Sequence, residues 1–301
     1  ALILVAGGLG AAAFHPPAAA LAHRLGGERR GFAMSVYITG GTLGFSLGPL
    51  FAVTVVGRFG LERTWLAAIP GLVVSGLLLA WFSRVRPQLR HAGVRPELAE
   101  LRPFLRPLSL LYLAVVCRSA VSYGFMTFLP IHLHAGGYGL AASGMIVTLY
   151  LLCGALGGFL GGWLADRWGG RNVVVASFFG GAPLYLGFLL LPDPVGLASL
   201  VLGSFVLQTS LPVNVVMGQE LSPRHASTIS SLLMGAAWGM GALIIGPIGV
   251  LADARGLHTA LLALAGVLGV GLAGALGLPD LRRLGISARI GEAASAPGPG
   301  L

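Results

Sequence analysis

Arg118 is the residue whose chemistry most needs explaining. It stands about ten residues into an apolar run that begins near residue 108. In a helix rising 1.5 Å per residue that places it roughly 15 Å from the end of the run. A cation at that depth in hydrocarbon faces a water-filled cavity or a partner acid. Ser122 follows one turn later on the same face, bordered by Ser119 and Tyr123. A guanidinium beside hydroxyls can hold a phosphonate or carboxylate through two parallel hydrogen bonds. The alternatives are a structural pair with an acid elsewhere, or snorkelling, which the depth disfavours.

Two further polar groups interrupt apolar runs. His15 precedes Pro16 and Pro17; two prolines are expected to break or kink a helix and free carbonyls that line a cavity. A histidine there can carry a proton near neutral pH or make an interhelical hydrogen bond. Farther on come Gln208, Thr209, Ser210 and Asn214, then Gln219 and Glu220. Glu220 is read either as a gate or proton carrier or as the partner of Arg224 at i+4. The expected substrate-binding set is therefore Arg118, Ser122, Tyr123, Gln208, Asn214 and His15, with His15 and Glu220 as proton-coupling candidates.

Other chemistries are weaker. Gly44-Phe45-Ser46-Leu47-Gly48 fits the Gly-x-Ser-x-Gly pattern of a nucleophile, which needs a strand–turn–helix setting. Here it falls mid-helix, just before Pro49, so an intramembrane serine hydrolase stands only as the alternative from another class. No zinc, phosphate-loop or dinucleotide motif is present, so no cofactor or metal is expected. His132, His134 and His258 lie at helix ends with no metal-ligand spacing.

One short stretch gathers opposite charges. Gly162-Trp163-Leu164-Ala165-Asp166-Arg167-Trp168-Gly169-Gly170-Arg171 lies between two apolar runs. Charges at mid-bilayer cost roughly 2.5–3.5 kcal/mol each, so this is a turn at the water boundary. Asp166 is placed to cap the positive N-terminal end of a nearby helix, and the arginines can reach headgroups or a helix C-terminus. An ordinary basic turn is the plain alternative.

The elements that must position these residues follow from composition. The 301 residues are 55% hydrophobic and only 10% charged, with mean hydropathy +0.86, a balance that belongs to a polytopic membrane protein. The net charge of +9 does not imply nucleic acid, because the arginines lie between apolar runs. Every basic residue is arginine, which reads as coding bias. Cys117 and Cys153 both fall in apolar runs and read as small core residues. Apolar runs at about 1–22, 33–57, 65–83, 108–133, 141–165, 172–191, 195–219, 228–252 and 259–278 predict nine spanning helices. The 48 glycines predict close helix contacts.

Fifteen arginines fall in loops on one side, against Arg58, Arg63 and Arg255 on the other. The fifteen are Arg24, Arg29 and Arg30; Arg84, Arg86, Arg90, Arg95, Arg102 and Arg106; Arg167 and Arg171; Arg224; and Arg282, Arg283 and Arg289. That side is expected to be cytoplasmic. The small-x-x-x-Gly-Pro pattern at Gly48-Pro49 recurs at Gly246-Pro247, with the prolines 198 residues apart, which predicts an internal repeat. The expected organisation is 1–83, a cytoplasmic linker 84–106, a six-helix half 107–280 and a disordered cytoplasmic tail 281–301.

The order Gly-x-Leu-Ala-Asp-Arg-x-Gly-x-Arg, with Gly162, Asp166, Arg167, Gly169 and Arg171 in its fixed positions, resembles the loop signature of the major facilitator superfamily. It departs at Gly170, where that family often has arginine. The resemblance implies an all-α fold of two six-helix halves, in which this loop stabilises one of two alternating conformations. With the repeat spacing it implies that the nine spans are helices four to twelve of twelve, three helices preceding Ala1. Gly48-Pro49 and Gly246-Pro247 would then be conformational positions. Phe14-His15-Pro16, Gly31 through Gly48-Pro49, Arg118-Ser119 with Phe128-Leu129-Pro130, and Gln219-Glu220-Leu221 resemble the fosmidomycin resistance branch. That implies a bacterial inner-membrane drug exporter and proton antiporter, and hence antibiotic resistance, working on a small anionic, phosphonate-like compound. Where that branch commonly has an acid after His-Pro, this chain has Pro17. Expected partners are the substrate, protons and the bilayer, without nucleic acid, for a monomer. Uptake of a sugar or organic anion is the alternative within transport.

Overall fold

A computed structural model describes residues 2–89 and 98–280, and among them every regular element is helical. Residues 90–97 of the expected linker and the expected tail 281–301, with Arg90, Arg95, Arg282, Arg283 and Arg289, lie outside the described residues. In order come α1 (Leu2–Leu25), α2 (Arg30–Phe59), α3 (Ile69–Leu89), α4 (Leu105–Ala135), α5 (Leu140–Trp168) and α6 (Gly170–Leu190). They are followed by α7 (Val195–Gln208), α8 (Ser210–Leu221), α9 (Ala226–Ser230), α10 (Ala237–Leu243), α11 (Ile245–Arg255) and α12 (Leu257–Leu276). A π-helical turn, Ser231–Ala236, joins α9 to α10. Residues 84–89 of the expected linker belong to α3, and a 3-10 segment, Leu98–Phe104, leads into α4.

Among the described residues seven helical stretches are long and apolar enough to cross a membrane, and α1 and α2, of 24 and 30 residues, match the remaining two expected spans. Large apolar side chains such as Leu72, Leu79, Phe179 and Val250 point outward, the surface of a multi-pass protein solvated by lipid rather than water.

Prolines decide where passes are interrupted, though not everywhere the sequence suggests. α7 stops at Gln208, four residues before Pro212, and α10 stops at Leu243, four before Pro247. A proline ring clashes with the carbonyl four residues earlier and cannot donate to it. So the hydrogen-bond ladder lapses at Thr209 and Ile244 within the expected spans 195–219 and 228–252, while both residues keep helical backbone angles and each pass continues. At the first break Thr209 Oγ1 donates to Val206 O at 2.7 Å and Ser210 Oγ to Leu207 O at 2.8 Å, supplying carbonyls with hydroxyl partners. By contrast α1 runs unbroken through Pro16 and Pro17, so the break expected there does not form; two missing donors thin the ladder without interrupting the helix. Pro49 likewise lies within a continuous α2.

One core extends from Leu101 to Leu278, filled by Phe125, Phe178 and Tyr185 among its largest buried side chains. A second, smaller cluster of Ala19, Met34, Ile38, Leu211, Val215, Val216 and Met234 sews α1 and α2 to α8 and the π-turn.

Candidate functional site

A cavity of about 480 Å³ lies among α1, α2, α4, α5, α7, α8, the π-turn and α10. Arg118 reaches it from α4 while only 3% exposed. Its Nη1 donates to Gln208 Oε1 at 3.1 Å and its Nη2 to Ser119 Oγ at 3.0 Å. Gln208 is the last residue of α7, next to the lapse in the ladder ahead of Pro212. Arg118 Nε and Ser122 Oγ are buried without a hydrogen-bond partner. Both protein partners of the guanidinium are neutral, and among the described residues no carboxylate lies at ion-pair distance from it. Leaving a buried cation without a counter-charge costs several kcal/mol, and a small anion that fitted the cavity would remove that cost.

Five of the six expected binding residues, Arg118, Ser122, Tyr123, Gln208 and His15, line this one cavity. Asn214 does not: it is 1% exposed on α8, and both its amide atoms lack a hydrogen-bond partner. Glu220 ends the same helix away from the lining. Sequence reasoning missed the aromatic part of the wall, Phe14, Tyr37, Tyr150 and Trp238. Tyr150 is anchored from behind, its hydroxyl 3.0 Å from that of Tyr185 and its carbonyl accepting from Ser204 Oγ at 2.8 Å. Rings recurring in helices otherwise made of small residues were the available signal.

The cavity is sealed on one side. Along α2 the close contacts run from Gly31 to Ser35 and the lining from Tyr37 to Phe45; along α5 the close contacts are at 158–166 and the lining at 150–154. On α1, Ala19 belongs to the seal, whereas Phe14 and His15 face the cavity. On these three helices the close contacts lie toward the end that carries Arg24, Arg29, Arg30 and Arg167. The tightest contact is α2 on α5. Ser35 Oγ donates to Gly158 O at 3.1 Å and accepts from the Gly162 amide at 3.0 Å. A Cβ at Gly162 would collide with the backbone of Gly31.

The charged turn ties α5 to the start of α2 at this end. Asp166 Oδ1 and Oδ2 accept from the Gly31 and Phe32 amides, each at 3.0 Å, so the carboxylate covers the N-terminus of α2, where unpaired amides carry partial positive charge. Gly169, at φ 89°, makes the sharp corner into α6. Arg171 then reaches the C-terminal end of α12, its Nε donating to Leu278 O at 2.7 Å and its Nη2 to Leu276 O at 2.9 Å. Arg167 stacks 3.9 Å over the Trp163 ring.

The remaining candidates fall elsewhere. Ser46 Oγ donates to Thr42 O within α2 at 2.9 Å, in a helix rather than at a strand–helix elbow. His132 stacks on His258 with ring centres 6.2 Å apart. Among the described residues no three metal-ligating side chains converge. Gly246 and Pro247 lie on α11, outside the cavity lining.

With this geometry in hand, the comparisons with known proteins are informative. The family model described as Major Facilitator Superfamily matches residues 1–246. YfnC, an MFS-type transporter of Bacillus subtilis, is 33% identical over 271 residues, covering 86% of this chain and 65% of that protein. The fosmidomycin resistance protein of Escherichia coli is 28% identical over 259 residues, covering 82% of this chain and 62% of that protein. The chain thus spans a little under two thirds of the length of these relatives. The crystal structure of the E. coli fucose:proton symporter superposes with a TM-score of 0.69 over 88% of this chain and 73% of its own, at 19% identity, which speaks to the fold alone.

Proposed function

The chain belongs to the major facilitator superfamily, and on that premise we propose that it serves an exporter of a small anionic, phosphonate-like compound, driven by proton antiport. The observation that carries this reading is Arg118, a buried cation with neutral protein partners and a free Nε at a cavity wall. Ser122, Tyr123 and Gln208 complete the polar side of that wall, and Phe14, Tyr37 and Trp238 supply apolar area. Likeness to the fosmidomycin resistance protein supports a phosphonate as the first probe. His15, which lines the same cavity, is the proton-coupling candidate closest to the anion site, and Glu220 is the second. The arginine asymmetry supports a bacterial inner membrane with the arginine-rich end in the cytoplasm. The seal at that end and the Asp166 clamp support a closed-to-cytoplasm conformation, held by Asp166, Arg171 and the Gly31–Gly162 contact.

Proteoliposomes test the reading. With fosmidomycin inside and an acid medium outside, the export reading predicts proton-driven loss of the drug. Drug moving in the same direction as the protons would assign uptake instead, the second reading, for which the same cation would hold an organic anion.

A further inference from the structure

At the sealed end, His23 stands where a charge would be least welcome. It follows the expected span 1–22, is 6% exposed and faces α8 across the seam. Its Nδ1 is buried without a hydrogen-bond partner, and so is Oε1 of Gln219 on α8, a residue with no exposed surface. Gln219 is held in place by its Nε2, which donates to Ser230 Oγ at 2.7 Å; that hydroxyl in turn donates to Ala226 O at 2.7 Å. The amide is therefore fixed with its oxygen unused.

The charges around the ring are equally specific. Burial, then Arg30 on α2 and Arg24 on α1 itself, oppose a proton on His23, and the Gln219 amide favours one. Some of the other ionisable groups at this end have visible partners. Asp166 is spent on the α2 amides, and His225 stands 3.6 Å from Glu100. Glu220 is the next residue of α8 after Gln219, and α9 and the π-turn contribute no ionisable side chain.

We infer that His23 is a proton-binding latch, separate from the substrate cavity, that lets the arginine-rich end close while it is neutral and opens it when protonated. The two orphaned atoms explain the pairing: a proton on Nδ1 has an acceptor waiting in Gln219, but it brings a buried positive charge beside two arginines. Opening the seam hydrates the charge and relieves it. The sign follows from linkage. A ring that is harder to protonate in the closed form stabilises closure above its ordinary titration range, and that stabilisation is lost as pH falls below it. The closed-to-open ratio should fall roughly tenfold between pH 7 and pH 5. The inference deepens the proton-coupled reading and rests on it for its place in the transport cycle, but its test needs no transport.

Spin labels at Leu25→Cys and Ser227→Cys, both exposed positions, report the distance between α1 and α9 in the full chain with Cys117→Ala and Cys153→Ala, reconstituted in nanodiscs. The latch predicts a longer-distance population that grows below pH 6.5 and vanishes in His23→Gln. Because Arg30 opposes the proton in the closed form, Arg30→Gln should make protonation more compatible with closure and shift opening to lower pH. A pH response that survives unchanged in His23→Gln overturns the latch. Should that variant fail to fold, an opening pH unmoved in Arg30→Gln overturns it as well. Failed drug export with an intact, His23-dependent distance change would sink the export reading and leave the latch standing.

Discussion

Asp166 on α5 caps α2 through Gly31, the carboxylate Oδ1 accepting the Gly31 amide at 3.0 Å across 135 positions of sequence. The second oxygen takes the Phe32 amide at the same distance. A charge pattern that looks like a topology signal is therefore also a tie between two helices.

Asp166→Asn keeps the size of the side chain and removes its charge. The loss at a helix N-terminus is about 1 kcal/mol, or roughly a fivefold fall in the closed population. Transport should slow while the amount of inserted protein stays normal. Unchanged transport at normal abundance would reduce the turn to a topology signal.

Gly162→Ala should act more strongly than Asp166→Asn, because its methyl group would meet the Gly31 backbone and backbone cannot step aside as a flexible side chain can. Gly158→Ala is the internal control: its nearest new neighbour is Gln208 O at 3.7 Å, an ordinary contact. Cross-linking between cysteines on α2 and α5 at the arginine-rich end should be lost in the first variant and kept in the second. Equal cross-linking in both would refute the close-packing account.

Much of this was legible in the residues, for a physical reason. Hydrocarbon length sets where apolar helices fall, and a charged turn has only the membrane boundary to occupy, so the helical runs and the position of Asp166 at a helix junction can be read directly. Arg118, Ser122 and Tyr123 could be grouped because helical spacing puts them together. What could not be read is anything that depends on which helices become neighbours. Asn214 and Gln208 sit on the same pass, but six residues apart they lie on different faces of it, and only Gln208 reaches the cavity. Pro16 and Pro17 carry the same local signal as Pro212 without the same outcome. Tyr150 stands in the wall with Tyr185 and Ser204 holding it from behind, neighbours that no local pattern announces.

Pro212→Ala tests that break. Restoring an amide donor should let α7 and α8 join, drawing Gln208 away from Arg118. Losing that hydrogen bond is worth about 1 kcal/mol, so the substrate KM should rise about fivefold with little change in maximal rate. An unaltered KM would mean that the break does not position Gln208.

The central claim is that Arg118 holds the anion, and its most direct test is equilibrium binding of a phosphonate to purified Arg118→Lys and Arg118→Ala proteins, with folded abundance measured alongside. Lysine keeps the charge but cannot offer two parallel donors, so affinity should fall about tenfold with Lys and further with Ala, while abundance stays near normal. Low abundance with undiminished affinity in the surviving protein would contradict the account, making Arg118 the structural partner of an acid instead of the anion's ligand.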